Sequence, residues 1–125
     1  MWLSKIIMQK STILIAGGSG LIGSRLTEML HSQGHTVRLL SRSPKGIGQF
    51  FWNPATDEMD AEALQDVDYV VNLAGAGIAD KRWTAARKKE LIESRVKSAA
   101  LLYRTMERLA KRPKAYFSAS AVGIY

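Results

Sequence analysis

The chain has 125 residues, 46% hydrophobic and 23% charged, which suits one globular domain and excludes a disordered polymer. It contains no cysteine, which excludes disulfides, thiolate metal sites and a cysteine nucleophile and fits the reducing cytoplasm expected as its location. No apolar run approaches the roughly 20 residues of a membrane span, so no membrane is expected as a partner; no metal site is expected either.

The net charge is +7. The surplus lies mainly in the second half, at Lys81, Arg82, Arg87, Lys88, Lys89, Arg95, Lys97, Arg104, Arg108, Lys111, Arg112 and Lys114. Most of these fall on one long expected helix, where they read as a solvated face and as cations complementing a helix C-terminus. No stacking platform or nucleic-acid module accompanies them, so nucleic acid is not expected as a partner.

In chain order, Met1-Trp2-Leu3-Ser4-Lys5-Ile6-Ile7 is too short for a signal peptide and lacks a small-residue cleavage site. Residues 1–10 are expected to be a leader: either Met8 is the functional start, or residues 1–8 are loose; residues 11–125 are expected to form one dinucleotide-binding unit. A first strand, Thr12–Ala16, runs into a glycine-rich turn and then a helix over Leu21–Gln33. That helix carries Leu21, Ile22, Leu26, Met29 and Leu30 near a 3.6-residue period and is closed by Gly34. A second strand covers Thr36–Leu40, and a Pro- and Gly-bearing loop follows it. A short third strand, Gln49–Trp52, ends at Asn53-Pro54. A short helix is expected at Ala61–Leu64. Asp66 and Asp68 precede a continuously apolar fourth strand, Tyr69–Ala74, where such an acid either faces an adenine or is simply solvated.

A long helix is expected from Thr84, its N-cap, to Ala110, stopped by Pro113. Ile92, Val96, Ala99, Tyr103, Met106 and Ala110 make an apolar stripe that places Tyr103 in the core. Ala115–Ala119 reads as a fifth strand. Strands alternating with helices imply right-handed crossovers. The expected fold is α/β, a Rossmann-like three-layer sandwich. Its parallel sheet has about five strands in the order 3-2-1-4-5, and the ligand lies at the carboxyl ends of the strands.

The site begins at Gly17-Gly18-Ser19-Gly20-Leu21-Ile22-Gly23. Gly17 and Gly18 permit φ angles closed to other residues, Gly20 permits close approach of a pyrophosphate, and Gly23 permits tight packing of helix on strand. Free N–H groups and the helix dipole favour an anion there. The plain alternative is a tight strand-to-helix turn with no ligand. After the second strand stand Ser41, Arg42 and Ser43 with Lys45, and no acid. An acid there would bind a ribose 2′-hydroxyl, whereas a cation and hydroxyls suit a 2′-phosphate, which predicts NADP in preference to NAD. Leu73, Ala74 and Gly75 close the fourth strand with small residues where a cofactor lies near backbone.

The glycine spacing resembles the short-chain dehydrogenase/reductase superfamily, and more closely its extended, epimerase-like branch. The segments Asn72-Leu73-Ala74-Gly75, Ile78-Ala79-Asp80-Lys81-Arg82-Trp83-Thr84 and Glu93-Ser94-Arg95-Val96 are similar to one subgroup of that branch, the proteins called NAD-dependent epimerase family proteins or nucleoside-diphosphate-sugar epimerases. Trp52-Asn53-Pro54 also resembles that subgroup's Trp-Asp-Pro segment. The resemblance runs from about Ile13 to the last residue. It implies an NAD(P) cofactor and a small-molecule substrate of nucleotide-sugar type, reacting at a keto or hydroxyl group.

By the same resemblance, Ser120 in Ser118-Ala119-Ser120 corresponds to the family's catalytic serine, and Tyr125 to the tyrosine of a Val-Tyr-Gly turn. The position of the superfamily's active-site asparagine is taken by Arg95. The superfamily's Tyr-x-x-x-Lys pair is not among these residues, so the chain by itself is expected to be inactive. The alternative is a non-catalytic, NADPH-binding regulatory or interaction module. The fold is expected to stop after its fifth strand and to leave an open edge, so that the isolated chain either self-associates or is marginally stable.

Overall fold

The computed structural model describes residues 10–17, 21–73 and 85–118. Strand β1 (Thr12–Ala16) leads to helix α1 (Leu21–Ser32), then β2 (Thr36–Ser41), β3 (Gln49–Asn53), a two-residue β4 (Glu58–Met59), a 3-10 turn (Ala61–Leu64), β5 (Tyr69–Asn72), helix α2 (Ala85–Glu107) and β6 (Ala115–Ser118). The sheet order is β4-β3-β2-β1-β5-β6. The expected order of five parallel strands is therefore present, with one addition. β4 pairs antiparallel with β3, Trp52 opposite Met59 and Asn53 opposite Glu58. The Asn53 side chain shapes the intervening turn by accepting from the Ala55 N–H at 3.1 Å.

Strand β1 is central, and Ile13, Leu14, Ile15 and Ala16 are all fully buried. Alternation sends them to opposite faces. Ile13 and Ile15 pack with Leu26 and Leu30 of α1, and with Val37, Val71 and Leu73. Leu14 and Ala16 pack with Leu101 and Leu102 of α2, and with Leu40, Trp52, Val70 and the 3-10 turn. Helix, sheet and helix thus form three layers. Of the apolar positions expected on α1, Leu26 and Leu30 are buried, whereas Ile22 is exposed.

The long helix differs from expectation in which face it buries. Ile92, Val96 and Tyr103 are more than half exposed, and the buried residues are Ser98, Leu101 and Leu102. Tyr103 is not core. The stripe through Tyr103 lies about 130° around the helix from the buried face. Close approach to the sheet is made instead by small or polar side chains that bond their own helix. Ser98 Oγ donates to the Ser94 carbonyl at 2.7 Å, and Thr105 Oγ1 to the Leu101 carbonyl at 2.8 Å. The helix also ends at Glu107, ahead of Pro113. The expected N-cap, Thr84, lies outside the described residues.

Helix α1 ends in a Schellman motif. The Gly34 N–H bonds the His31 carbonyl at 3.0 Å, the His35 N–H bonds the Leu30 carbonyl at 3.0 Å, and Gly34 sits at φ 86°. Gly34→Ala should cost about 1–2 kcal/mol, because the left-handed backbone penalises a Cβ whatever the space around it. A thermal melt of the variant checks this, and an unchanged midpoint would contradict the cap geometry.

Polar bonds lace the amino-terminal edge of the sheet. The Ser11 N–H donates to His35 Nδ1 at 3.1 Å, and the Thr12 N–H donates to Asp68 Oδ2 at 2.9 Å. The Lys114 N–H bonds the Asp68 carbonyl at 2.7 Å, while Lys114 Nζ stands 4.0 Å from Asp68 Oδ1. Asp68 is thus neither a solvated loop acid nor an adenine partner. It ties the entrances of β1, β5 and β6 at the end of the sheet remote from the ligand edge. On the flank, Arg38 of β2 shares Nη1 among the carbonyls of Glu62, Ala63 and Gln65 at 3.1, 3.1 and 2.7 Å, and its guanidinium lies 5.5 Å from the Phe50 ring centre. These contacts hold the 3-10 turn against β2 and β3. Arg104 of α2 pairs with Asp57 of the β3–β4 turn through both guanidinium branches. Both side chains are half exposed, which limits that pair to less than about 1 kcal/mol.

Candidate cofactor site at the carboxyl edge

At the other end of the sheet a cleft of about 790 Å³ opens beside the exits of β1, β2 and β3. Its size falls inside the range of about 300–1,000 Å³ typical of small-molecule sites. Gly17, Ser41, Arg42, Ser43 and Lys45 all line it. Gly17 ends β1 at φ 78°, a conformation that suits glycine and frees the backbone to turn toward α1. The Leu73 N–H bonds the Ala16 carbonyl at 2.8 Å, which fixes the exit of β5 against that of β1. Leu73 itself is buried in the α1-side core. Leu21 opens α1, Ile22 is exposed, and Gly23 is buried with its carbonyl accepting from Thr27 Oγ1 at 2.7 Å.

The loop after β2 is shaped by its own side chains. Ser41 Oγ accepts from the Ser43 N–H at 3.0 Å, which leaves the hydroxyl proton free to be donated. The Lys45 N–H donates to Gln49 Oε1 at 2.9 Å, and the Leu39 N–H to the Gly48 carbonyl at 2.8 Å, with Gly48 at φ 84°. Arg42 and Lys45 are exposed, and among the described residues neither makes an ion pair. Their charges face the cleft uncommitted. A Ser hydroxyl and two cations on a closed loop form a donor set that fits a phosphate monoester.

The sequence reading missed the opposite wall. Glu90, Glu93, Ser94, Lys97 and Ser98 of α2 line the same cleft, together with Trp52, Asn53 and Pro54 of β3 and its turn. A signal for the α2 wall exists in the sequence. Glu90, Ser94, Lys97 and Ser98 recur at helical spacing, a polar stripe on a helix whose neighbouring face is buried. Gly18, Ser19, Gly20, Ala74, Gly75 and Ser120 lie outside the described residues, as do Lys81-Arg82-Trp83 and Tyr125.

A Rossmann-type parallel sheet with a glycine turn at the exit of its central strand defines a dinucleotide-binding class of protein. Comparison with known proteins narrows the class. The family model for the NAD dependent epimerase/dehydratase family matches residues 13–125, and the chain belongs to that family. It is 42% identical over 119 residues to epimerase family protein Mb2239 of Mycobacterium bovis, covering 94% of this chain and 39% of that protein. Among solved structures it resembles the human epimerase family protein SDR39U1 (isoform 2), determined with NADPH. The TM-score is 0.72 at 34% identity, over 91% of this chain and 38% of that one. A nucleoside-diphosphate sugar epimerase from Corynebacterium glutamicum gives a TM-score of 0.72 at 31% identity, over 94% of this chain and 24% of that one. The chain therefore spans about two fifths of the length of the curated relatives it matches. No described helix is long and apolar enough to cross a membrane.

Proposed function

We propose that residues 11–125 form the NADP-holding unit of an epimerase-like oxidoreductase whose substrate is a small molecule of nucleotide-sugar type, reacting at a keto or hydroxyl carbon. The observation that carries this reading is the convergence of Gly17 with Ser41, Arg42, Ser43 and Lys45 on one cleft. The pyrophosphate lies at the turn of residues 17–23, where N–H groups and the α1 dipole meet it. Ser41, Arg42, Ser43 and Lys45 receive the 2′-phosphate. Leu73, Ala74 and Gly75 flank the cofactor beyond β5. NADPH in the human relative supports the same choice of cofactor.

When bound, the cofactor supplies hydride transfer at its nicotinamide ring. The chain's own residues bind and orient it, and Ser120 hydrogen-bonds the substrate oxygen. Within these 125 residues no tyrosine is followed by lysine four positions later, so the chain by itself lacks the family's proton donor and is inactive. The second reading is a non-catalytic NADPH-binding module that regulates a partner. The absence of cysteine fits a cytoplasmic setting for either role.

Calorimetric titration of the chain with NADPH and with NADH tests the shared part of both readings. The expected result is micromolar NADPH binding, with NADH at least tenfold weaker, which is about 1.4 kcal/mol. Equal affinities would remove the phosphate-loop assignment, and no binding of either would remove the cofactor assignment. Hydride transfer by the longer relatives separates the enzyme from the regulatory module.

A further inference from the structure

The cleft at the carboxyl edge carries one side chain that a phosphate site does not need. Glu93 lines it from the α2 wall, in the same cleft as Arg42 and Lys45. A carboxylate repels a phosphate, so its place here calls for a different partner.

The bonding within the cleft shows what kind. Four carboxylate or amide side chains line it, Gln49, Asn53, Glu90 and Glu93. Gln49 turns Oε1 to the Lys45 N–H at 2.9 Å, and Asn53 turns Oδ1 to the Ala55 N–H at 3.1 Å. With those oxygens engaged, each has its NH₂ group left to offer a ligand. Glu90 already has a partner. Glu93 is exposed and makes no hydrogen bond or ion pair among the described residues, although Lys97 stands one turn along the helix in the same cleft. The cleft is thus rich in donors, at Arg42, Lys45, Lys97 and two amide groups, and Glu93 is its uncommitted carboxylate.

The adenosine end of NADP has the complementary chemistry. Its phosphate oxygens and the ring nitrogens of its base accept, and the 6-amino group of the base donates. The base and the 2′-phosphate stand on adjacent carbons of one ribose, so a phosphate held at the Ser41–Lys45 loop brings the base into the same cleft. Leu40, Trp52 and Pro54 give that cleft the apolar surface that the flat faces of a purine require.

We propose that Glu93 accepts a hydrogen bond from the 6-amino group of the adenine and so makes the cleft selective for a 6-amino purine. The proposal rests on the cofactor reading above. A base with a 6-oxo group sets a carbonyl oxygen against the carboxylate, where two acceptors meet with no proton between them. Recognition of the adenosine end is thereby divided between two elements. The loop after β2 reads the phosphate, and helix α2 reads the base.

The test is calorimetric titration of the chain with NADPH and with reduced nicotinamide hypoxanthine dinucleotide phosphate, which has a 6-oxo group in place of the 6-amino group. The expected result is that the unaltered chain binds NADPH about tenfold or more tightly than the hypoxanthine cofactor. Glu93→Ala should bring the two within about threefold by losing the bond to the amine. Glu93→Gln should do so by weakening NADPH and tightening the hypoxanthine cofactor, because its amide donates to the 6-oxo group. In both variants the preference for NADPH over NADH should persist, since the phosphate loop is intact. Thermal melts report that the fold persists, as Glu93 is exposed. If the unaltered chain binds NADPH and the hypoxanthine cofactor equally, or if the variants weaken both equally, the proposal is overturned and the cofactor reading stands. If NADPH does not bind at all, the cofactor reading falls and the proposal falls with it.

Discussion

Arg42→Glu should weaken NADPH binding about a hundredfold and leave NADH within a few-fold. Arg42 is exposed, sits on a loop fixed by the Ser43–Ser41 and Lys45–Gln49 bonds, and makes no ion pair among the described residues. Its charge is therefore available to a 2′-phosphate without first breaking another contact. A charge-assisted bond of this kind contributes about 1.5–3 kcal/mol, and reversal adds repulsion that the neighbouring Lys45 offsets only in part. NADH, with a hydroxyl in place of the phosphate, loses nothing and gains an acceptor for it. The loop lies outside both packed clusters, so the melting temperature should stay within about 2 °C. Paired titrations at fixed ionic strength check the prediction. Parallel loss of both cofactors would mean that the loop shapes the whole cleft rather than reading the phosphate.

Leu102→Ala should cost about 3 kcal/mol, whereas Tyr103→Ala one residue later should cost less than about 0.5 kcal/mol. Leu102 is fully buried against the sheet, and its removal leaves a cavity between α2 and β1 that the rigid strands cannot close. Tyr103 is 61% exposed and makes no packed cluster with the sheet. A loss of 3 kcal/mol is a large share of the 5–15 kcal/mol that holds a domain of this size together, so the variant should melt many degrees lower. Denaturant unfolding of the two variants side by side decides which face of α2 meets the sheet. Comparable losses would restore the face that the sequence pattern favours.

That contrast shows where the sequence is legible and where it is not. The order of the five parallel strands can be read because each strand is a short apolar block, and the blocks alternate with helices. Gly17 and Gly34 are legible because each stands where the chain must adopt positive φ, and both do. The orientation of α2 is not legible, because the helix carries two competing faces. Ile92, Val96, Ala99 and Tyr103 have the regular spacing of a buried stripe and are exposed. The face that is buried is interrupted by Ser98 and Thr105, whose hydroxyls are satisfied within the helix and so cost little to bury. Periodicity records hydrophobicity, not hydrogen bonds satisfied locally. Strand β4 is missed for a simpler reason: two residues cannot display an alternation. The acidic and hydroxyl side chains of α2 that wall the cleft are missed because a charged helix surface reads as solvated until the helix is placed beside β2 and β3.

The amino-terminal lacing around Asp68 also bears on how the molecule tolerates change. Ser11, Thr12, His35, Asp68 and Lys114 make bonds that lace the amino-terminal end of the sheet, while Gly17, Ser41–Lys45 and Leu73 stand at the other, next to the Asn72 amide that donates to the Tyr116 hydroxyl at 3.0 Å. The phosphate loop and the amino-terminal lacing are therefore written in separate residues, about one strand length apart, whereas Leu40 and Trp52 belong to both the core and the cleft wall. The loop at Ser41–Lys45 can be exchanged to suit another nucleotide without loosening the frame, and the frame can be reinforced without disturbing what the cleft accepts. At the loop, drift in specificity is uncoupled from drift in thermal tolerance, whereas at Leu40 and Trp52 the two move together.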